Sequence, residues 1–306
     1  MALASEPCGC GQCGSPQHVT QPFVTYEYFP DQSMSGHWDS AGQWDCGESP
    51  PESRLWKYLS SKRPGGSPFA VSEVAFLRYF QEGGVTDVVG SPAEFDFEFT
   101  PRFEFGYVGA GGLGARGRYW FFDETAPSAA GDSVSIDTFC IDAEVFQQWA
   151  PTCKTELEIA AGLRYVDFEQ VATNVGANSF VLGSFDGLGG MLAVEGKRKC
   201  RFGSFYARGR LSMLTGDASV ENWTGGALVA SFLAAGHTTA QLELGLGFEV
   251  ERRLGDRVVA TARFGYQWQQ WSNLAIADTS FGGIGNDDVL EDAGFSGLVV
   301  GLGLSI

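Results

Sequence analysis

The chain has 306 residues and a formal net charge of −17, which repels phosphates and excludes a nucleic-acid partner. No run approaches the roughly 18 consecutive apolar residues of a membrane-spanning helix. Forty-two glycines beside 24 phenylalanines exceed what a compact soluble core needs, and the one other structure that pairs every backbone polar group in lipid is a closed β-barrel.

Residues 1–67 differ from all that follows, being rich in Cys, Gly, Ser, Pro and Trp without sustained alternation. Ala2-Leu3-Ala4 has the small-x-small form of a signal-peptidase site. Phe23 to Phe29 predicts one short strand. Ser49 and Glu52 predict a reciprocal helix cap, with Leu55, Trp56 and Leu59 on one side of the short helix that follows. Such a segment forms either a periplasmic extension or a plug. Seven cysteines point to an oxidising compartment and leave at least one unpaired. Cys8, Cys10 and Cys13 lack the spaced pairs of a zinc site, so no metal is expected there.

The barrel is expected over residues 68–306. Val71 to Phe80 is a poorly alternating first strand, with a short helix as the alternative. From Phe95 the pattern becomes regular. Phe95, Phe97, Phe99, Phe103, Phe105 and Tyr107 alternate with Asp96, Glu98, Thr100, Arg102 and Glu104, a period of two with one apolar and one polar face. The turn at Gly109 to Gly112 leads to a second arm with Leu113, Ala115, Tyr119 and Phe121 outward and Arg116, Arg118 and Trp120 inward. Each arm is about the length a tilted strand needs to cross a bilayer.

The same unit recurs. Ser135 to Phe146 places Cys140, Asp142 and Glu144 inward, and Thr155 to Phe168 places Glu156, Glu158 and Arg164 inward. Phe185 to Lys197 contributes Glu195 and Lys197, and Ser204 to Leu214 contributes Tyr206, Arg208 and Arg210. Ala240 to Arg252 contributes Gln241, Glu243, Glu249 and Glu251, Arg257 to Trp268 contributes Arg263 and Gln267, and Phe295 to Ile306 closes the series. Ten strands are expected, within a range of 8–12. Short connections such as Leu254-Gly255-Asp256 alternate with long ones at Gln81 to Glu94, Glu124 to Val134, Gln170 to Ser184, Gly216 to Thr239 and Ser272 to Gly294. Short periplasmic turns and long extracellular loops produce that alternation. Phe95, Phe97, Tyr119 to Phe122, Tyr165, Phe168, Tyr266, Trp268 and Trp271 are expected in one interfacial girdle, and Tyr107, Trp149, Phe205 and Phe248 in the other.

PRFEFGY with GLGARGRYWFFD, IDAEVFQ with ELEIAAGLRYVDFEQ, FDGLGGMLAVEGKR with YARGRLSMLTGD, ELGLGFEVERRLGDR with ARFGYQWQQW, and the closing FSGLVVGLGLSI run in order from Pro68 to Ile306. This set resembles the pore-forming outer-membrane protein family typified by the Legionella major outer membrane protein, in its planctomycete-like form. The resemblance implies an all-β transmembrane up-and-down barrel, monomeric or oligomeric, with porin-like activity and no catalytic residues. The Cys-rich first 67 residues and the terminal Ile306 depart from the family pattern.

The candidate lumen lining is Arg102, Glu104, Arg116, Arg118, Asp142, Glu144, Glu156, Glu158, Arg164, Glu195, Arg208, Arg210, Glu243, Glu249 and Arg263. Buried and unpaired, each would cost several kcal/mol. Either they pair across strands and close the lumen, or water solvates them and solutes pass, the acidic excess then favouring cations. Cys153 and Cys200 sit at short turns on the same side, where either a disulfide or two free thiols fit. His237, with Ser231 and Asp217 nearby in a long loop, reads as a solvated histidine, so no enzyme is expected. Asn286 to Asp292 reads as a solvated acidic loop. No cofactor is expected. Outer-membrane lipid and small solutes or ions are the expected partners, with a homo-oligomer or a larger envelope assembly as further ones. The function expected is passive diffusion through a narrow charged lumen of an outer-membrane porin-like barrel; the alternative is a closed barrel serving as a subunit of an envelope assembly.

Overall fold

The computed structural model describes residues 66–82, 84–88, 90–128, 132–152, 154–254, 258–277 and 290–306. The expected strand at Phe23 to Phe29, the capped helix after Ser49 and the three clustered cysteines lie outside them. So do Cys153 and most of the acidic loop before Asp292.

Ten antiparallel strands close into one barrel in which every strand pairs with its sequence neighbours and the first pairs with the last. They are β1 (Ser67–Gln81), β2 (Glu98–Val108), β3 (Leu113–Pro127), β4 (Ser133–Thr152), β5 (Thr155–Asn174), β6 (Ser179–Cys200), β7 (Gly203–Thr224), β8 (Ala227–Arg253), β9 (Val259–Ala275) and β10 (Leu290–Ser305). Closure leaves no sheet edge within the ring, which is what lets a sheet sit in lipid. At the seam Phe69 faces Ser305, and Ser67 Oγ donates to the Ile306 carbonyl at 2.9 Å.

Three expectations change. The segment Val71 to Phe80 is strand throughout, laddered on both sides by β10 and β2, so the helix alternative falls. Two of the long loops are strand as well. β5 and β6 stay paired up to Asn174 and Ser179, and β7 and β8 up to Thr224 and Ala227. Gly225 and Gly226 make that last turn, with φ of 59° and 80° that a side chain would strain. β8 is therefore 27 residues long, against the 9–11 or so that cross a bilayer. Finally, β2 begins only at Glu98, and Phe95 in the irregular stretch before it turns inward, 2% exposed, its ring 5.3 Å from Tyr79.

Candidate functional site: the barrel interior

Outward side chains form an apolar band around the whole barrel. It includes Phe76, Phe103, Phe105, Tyr119, Ile141, Leu163, Leu192, Leu211, Leu244, Phe264 and Leu302, all exposed. On β7 the band runs from Phe205 to Thr215, about eleven residues. A strand tilted by about 40° rises roughly 25 Å over that length, the height of the lipid-facing band of a membrane barrel.

Above the band the outward positions turn acidic. Asp123 on β3 faces Asp137 on β4, Asp167 on β5 faces Asp186 on β6, and Asp186 faces Asp217 on β7. Around this row the interior changes too. Toward the short turns most inward positions are charged or polar; from about three residues below the row upward they include Leu214, Phe122, Val166, Ile136, Phe168, Phe185, Ala218, Val220, Trp271 and Phe295, each no more than 1% exposed. On β3 to β7 the inward parity holds while the apolar face passes from outside to inside; on β8 it slips by one at the bulge opposite Gly216 and Ala218, so that Gln241 and Glu243 point inward below it and Phe232 and Ala234 above it. A membrane barrel below the row thus becomes a barrel of the soluble kind above it, wet outside and dry within.

The charged lower half holds one continuous network. Among the described residues, seven arginines (Arg102, Arg116, Arg118, Arg164, Arg208, Arg210 and Arg263) and Lys197 face eight carboxylates (Glu73, Glu104, Asp142, Glu144, Glu158, Glu195, Glu243 and Glu249). Its formal charges balance; Glu156 with Lys199, and Glu251, stand beside it near the short turns.

Asp142 is a hub. Arg164 grips both of its oxygens, Nε to Oδ1 at 2.6 Å and Nη2 to Oδ2 at 2.7 Å, while Arg118 and Arg210 approach Oδ2 at 3.6 and 3.4 Å. The fork-to-fork geometry of the first pair is the strongest form such a contact takes. A second hub spans the lumen: Gln267 Oε1 on β9 accepts from Arg102 on β2 at 2.6 Å and from Arg208 on β7 at 2.9 Å. Both arginines also approach Glu73 and Glu243. Arg263 completes the ring with Glu249 at 2.6 Å and Glu195 at 3.2 Å, its guanidinium 4.6 Å from the Tyr206 ring centre. These contacts join opposite walls, so the network spans the lumen as well as lining it.

The upper half holds a second, apolar layer. Phe122 and Trp120 pack on Phe295 with ring centres 4.9 and 5.7 Å away, and Phe168 meets Trp271 at 6.5 Å. Asn273 adopts φ of 59°, a left-handed turn that sends the chain after β9 into the mouth. There the Ala277 amide donates to Gln170 Oε1 at 3.3 Å. Ile276 crosses so close to Gly183 that a Cβ on that glycine would lie 2.5 Å from the Ile276 carbonyl carbon.

All fifteen sequence-predicted lining residues face the interior. All but Glu156 join the one network; Glu156 pairs with Lys199 near the short turns. Glu73, Gln267 and Gln269 are interior hubs or neighbours that the candidate lining omits, and Glu73 was hidden by the weak alternation of β1. The expected upper girdle is corrected in part: Tyr119 and Tyr266 face outward, but Phe95, Trp120, Phe122, Phe168 and Trp271 are core. Cys200 is exposed, and its pairing with Cys153 lies outside the described residues. His237 Nε2 lies 2.6 Å from the Asn273 carbonyl and its ring packs on Phe185.

No protein-family model matches the chain, and no curated protein matches it. The solved structures it is similar to include the translocator domain of the autotransporter NalP from Neisseria meningitidis, with 13% identity and a TM-score of 0.43 over 82% of this chain and 93% of that one. The outer membrane protease OmpT from Escherichia coli shares 6% identity with a TM-score of 0.44, over 78% and 96% of the two chains. The toluene transporter TodX from Pseudomonas putida shares 11% with a TM-score of 0.33, over 81% and 90%.

Proposed function

We propose that this chain is an integral outer-membrane β-barrel whose lumen is closed at rest, and that it serves the envelope as an anchored structural and interaction element. The observation that carries this reading is the exchange of inner and outer character at the aspartate row. The apolar band below it fits lipid, and the dry aromatic core above it fits a barrel wall standing in water. A wide aqueous pore would need solvated charges along its whole length, and here a neutral ion network is capped by Trp271, Phe295 and Ile276. The long-strand end faces outward from the cell, since short turns mark the periplasmic side.

A porin-like path for small ions or polar solutes is the second reading. It is favoured by the partly buried charges near the short turns, where Glu156, Glu158, Glu195 and Lys197 line a cavity of about 20 Å³ with room for a water or two. Conduction would require the Trp271 and Ile276 layer to move. Planar-bilayer recording separates the two readings. The closed barrel gives no current steps from inserted wild-type protein, whereas a Trp271→Ala, Ile276→Gly variant conducts intermittently. Reproducible steps from the wild type would overturn the closed reading in favour of the pore.

A further inference from the structure

The strands β7 and β8 stand higher than β9, and the wall they form with β5 and β6 has one open side. β8 pairs with β7 from Ala227 onward, but with β9 only from Ala240, opposite Ser272. The cause is local: the left-handed Asn273 turns β9 into the mouth and leaves Ala227 to Ala235 without a described neighbour on that edge. An edge of this kind presents unpaired N–H and C=O groups to any strand that can reach it, and proteins ordinarily guard it with charge or proline. Among the described residues nothing guards this one. No Asp, Glu, Lys or Arg occurs between Glu221 and Glu243, while Leu228, Val229 and Leu233 are 47%, 64% and 73% exposed.

The partner follows from charge, sequence and symmetry. In a chain of net charge −17, an uncharged edge is where two copies approach without repulsion. ALVASFLAA reads nearly alike in both directions about Ser231. Reversed on itself, it sets Ala230 against Phe232 and Val229 against Leu233, apolar against apolar, before the bulge between Leu228 and Ala230 ends the regular pairing. The described barrel offers no second long edge, so the contact is isologous. A two-fold axis along the membrane normal would bring the two β8 edges together in the same direction, with each N–H against its own copy, and no ladder forms. An axis in the membrane plane reverses one strand, and N–H then meets C=O. That symmetry places the two barrels mouth to mouth.

We propose that the β8 edge over Ala227 to Ala235 pairs antiparallel with the same edge of a second copy of this chain in a facing membrane, so that the protein joins two outer-membrane surfaces. This rests on the outer-membrane reading above. The paired edge is only roughly 30 Å long, so a single contact is weak, and many acting together across two membranes supply the avidity.

The test uses full-length protein in phosphatidylcholine vesicles, with heat-modifiable mobility confirming that each variant is inserted and folded; failure at that step would count against the outer-membrane reading itself. Light scattering then reports vesicle clustering. Wild-type vesicles cluster, and vesicles bearing Val229→Lys with Leu233→Lys do not, nor do those bearing Val229→Glu with Leu233→Glu. Because position 229 faces position 233 of the other copy, mixing the lysine and glutamate populations restores clustering. The proposal is overturned if wild-type vesicles stay dispersed, if the lysine variant clusters equally, or if wild-type vesicles gather protein-free vesicles as readily as one another, which would make a lipid surface the occupant.

Discussion

Above and below the aspartate row the strands β3 to β7 meet opposite solvents. Below it, apolar side chains such as Leu163 and Leu211 face outward and arginines face in; at and just above it, Asp167 and Asp217 face outward and Phe168 and Ala218 face in. The lower interior holds shape through directional, charge-balanced contacts that leave little freedom once Asp142 and Gln267 are satisfied. The upper interior holds it through area removed from water. Strand pairing is indifferent to this exchange, because the backbone ladder is the same in both halves; only the side-chain pattern records where lipid ends.

The largest cost falls at Asp142. Asp142→Ala strips Arg164 of a two-pronged partner and leaves Arg118 and Arg210 with one carboxylate fewer, all three nearly inaccessible. Removing one member of such a buried group costs about 3–5 kcal/mol, read as a lower urea midpoint for loss of heat-modifiable mobility. An unchanged midpoint would mean that water reaches the network and that the lower half is not closed. A smaller effect sharpens the boundary. Leu163→Arg on the lower band costs about 2–4 kcal/mol in bilayers, whereas Leu233→Arg on the protruding wall stays within about 0.5 kcal/mol. Both leucines are well exposed, at 58% and 73%, so exposure alone predicts equal costs. Equal costs would put lipid at both sites or at neither.

Much of the lower half was legible from alternation. The inward set from Arg102 to Arg263 follows from period two once the outer face is apolar, because parity alone decides which wall a side chain meets. The upper half was misread because parity was followed without its sign. The signal is present wherever two neighbouring residues are both apolar: Trp120 beside Tyr119, Val166 beside Tyr165, Leu214 beside Met213. Each pair marks the change of apolar face, and each was absorbed into a girdle or a strand end. The long-loop reading of Gly216 to Thr239 failed for a related reason. Gly225-Gly226 is a hairpin turn, and in ALVASFLAA the inward Phe232 and Ala234 and the outward Val229 and Leu233 are all apolar, so the alternation leaves no polar trace. The ion-pair partners themselves, such as Gln267 serving Arg102 from across the lumen, depend on barrel diameter and stagger, which no local pattern encodes.

The smallest effect lies at the mouth. Glu124, near the upper end of β3, accepts the Asp96 amide at 3.0 Å and so ties the stretch before β2 to the wall. Burial pushes its carboxyl from the usual 4.5 up to about 6, with Glu98 and Asp96 adding repulsion and the Asp96 amide opposing the shift. A carboxyl raised in the folded state favours the proton-bound form. This contribution is therefore fully present below about pH 4.5 and is lost as pH rises through about 6. Hydrogen exchange at the Asp96 amide, corrected for intrinsic rate, should show stronger protection at pH 5 than at pH 7, and Glu124→Gln should level the two. Protection that instead grows with pH would mean that the ionised carboxylate's bond to the amide outweighs its burial, and that the mouth is wetter than the dry core beneath it.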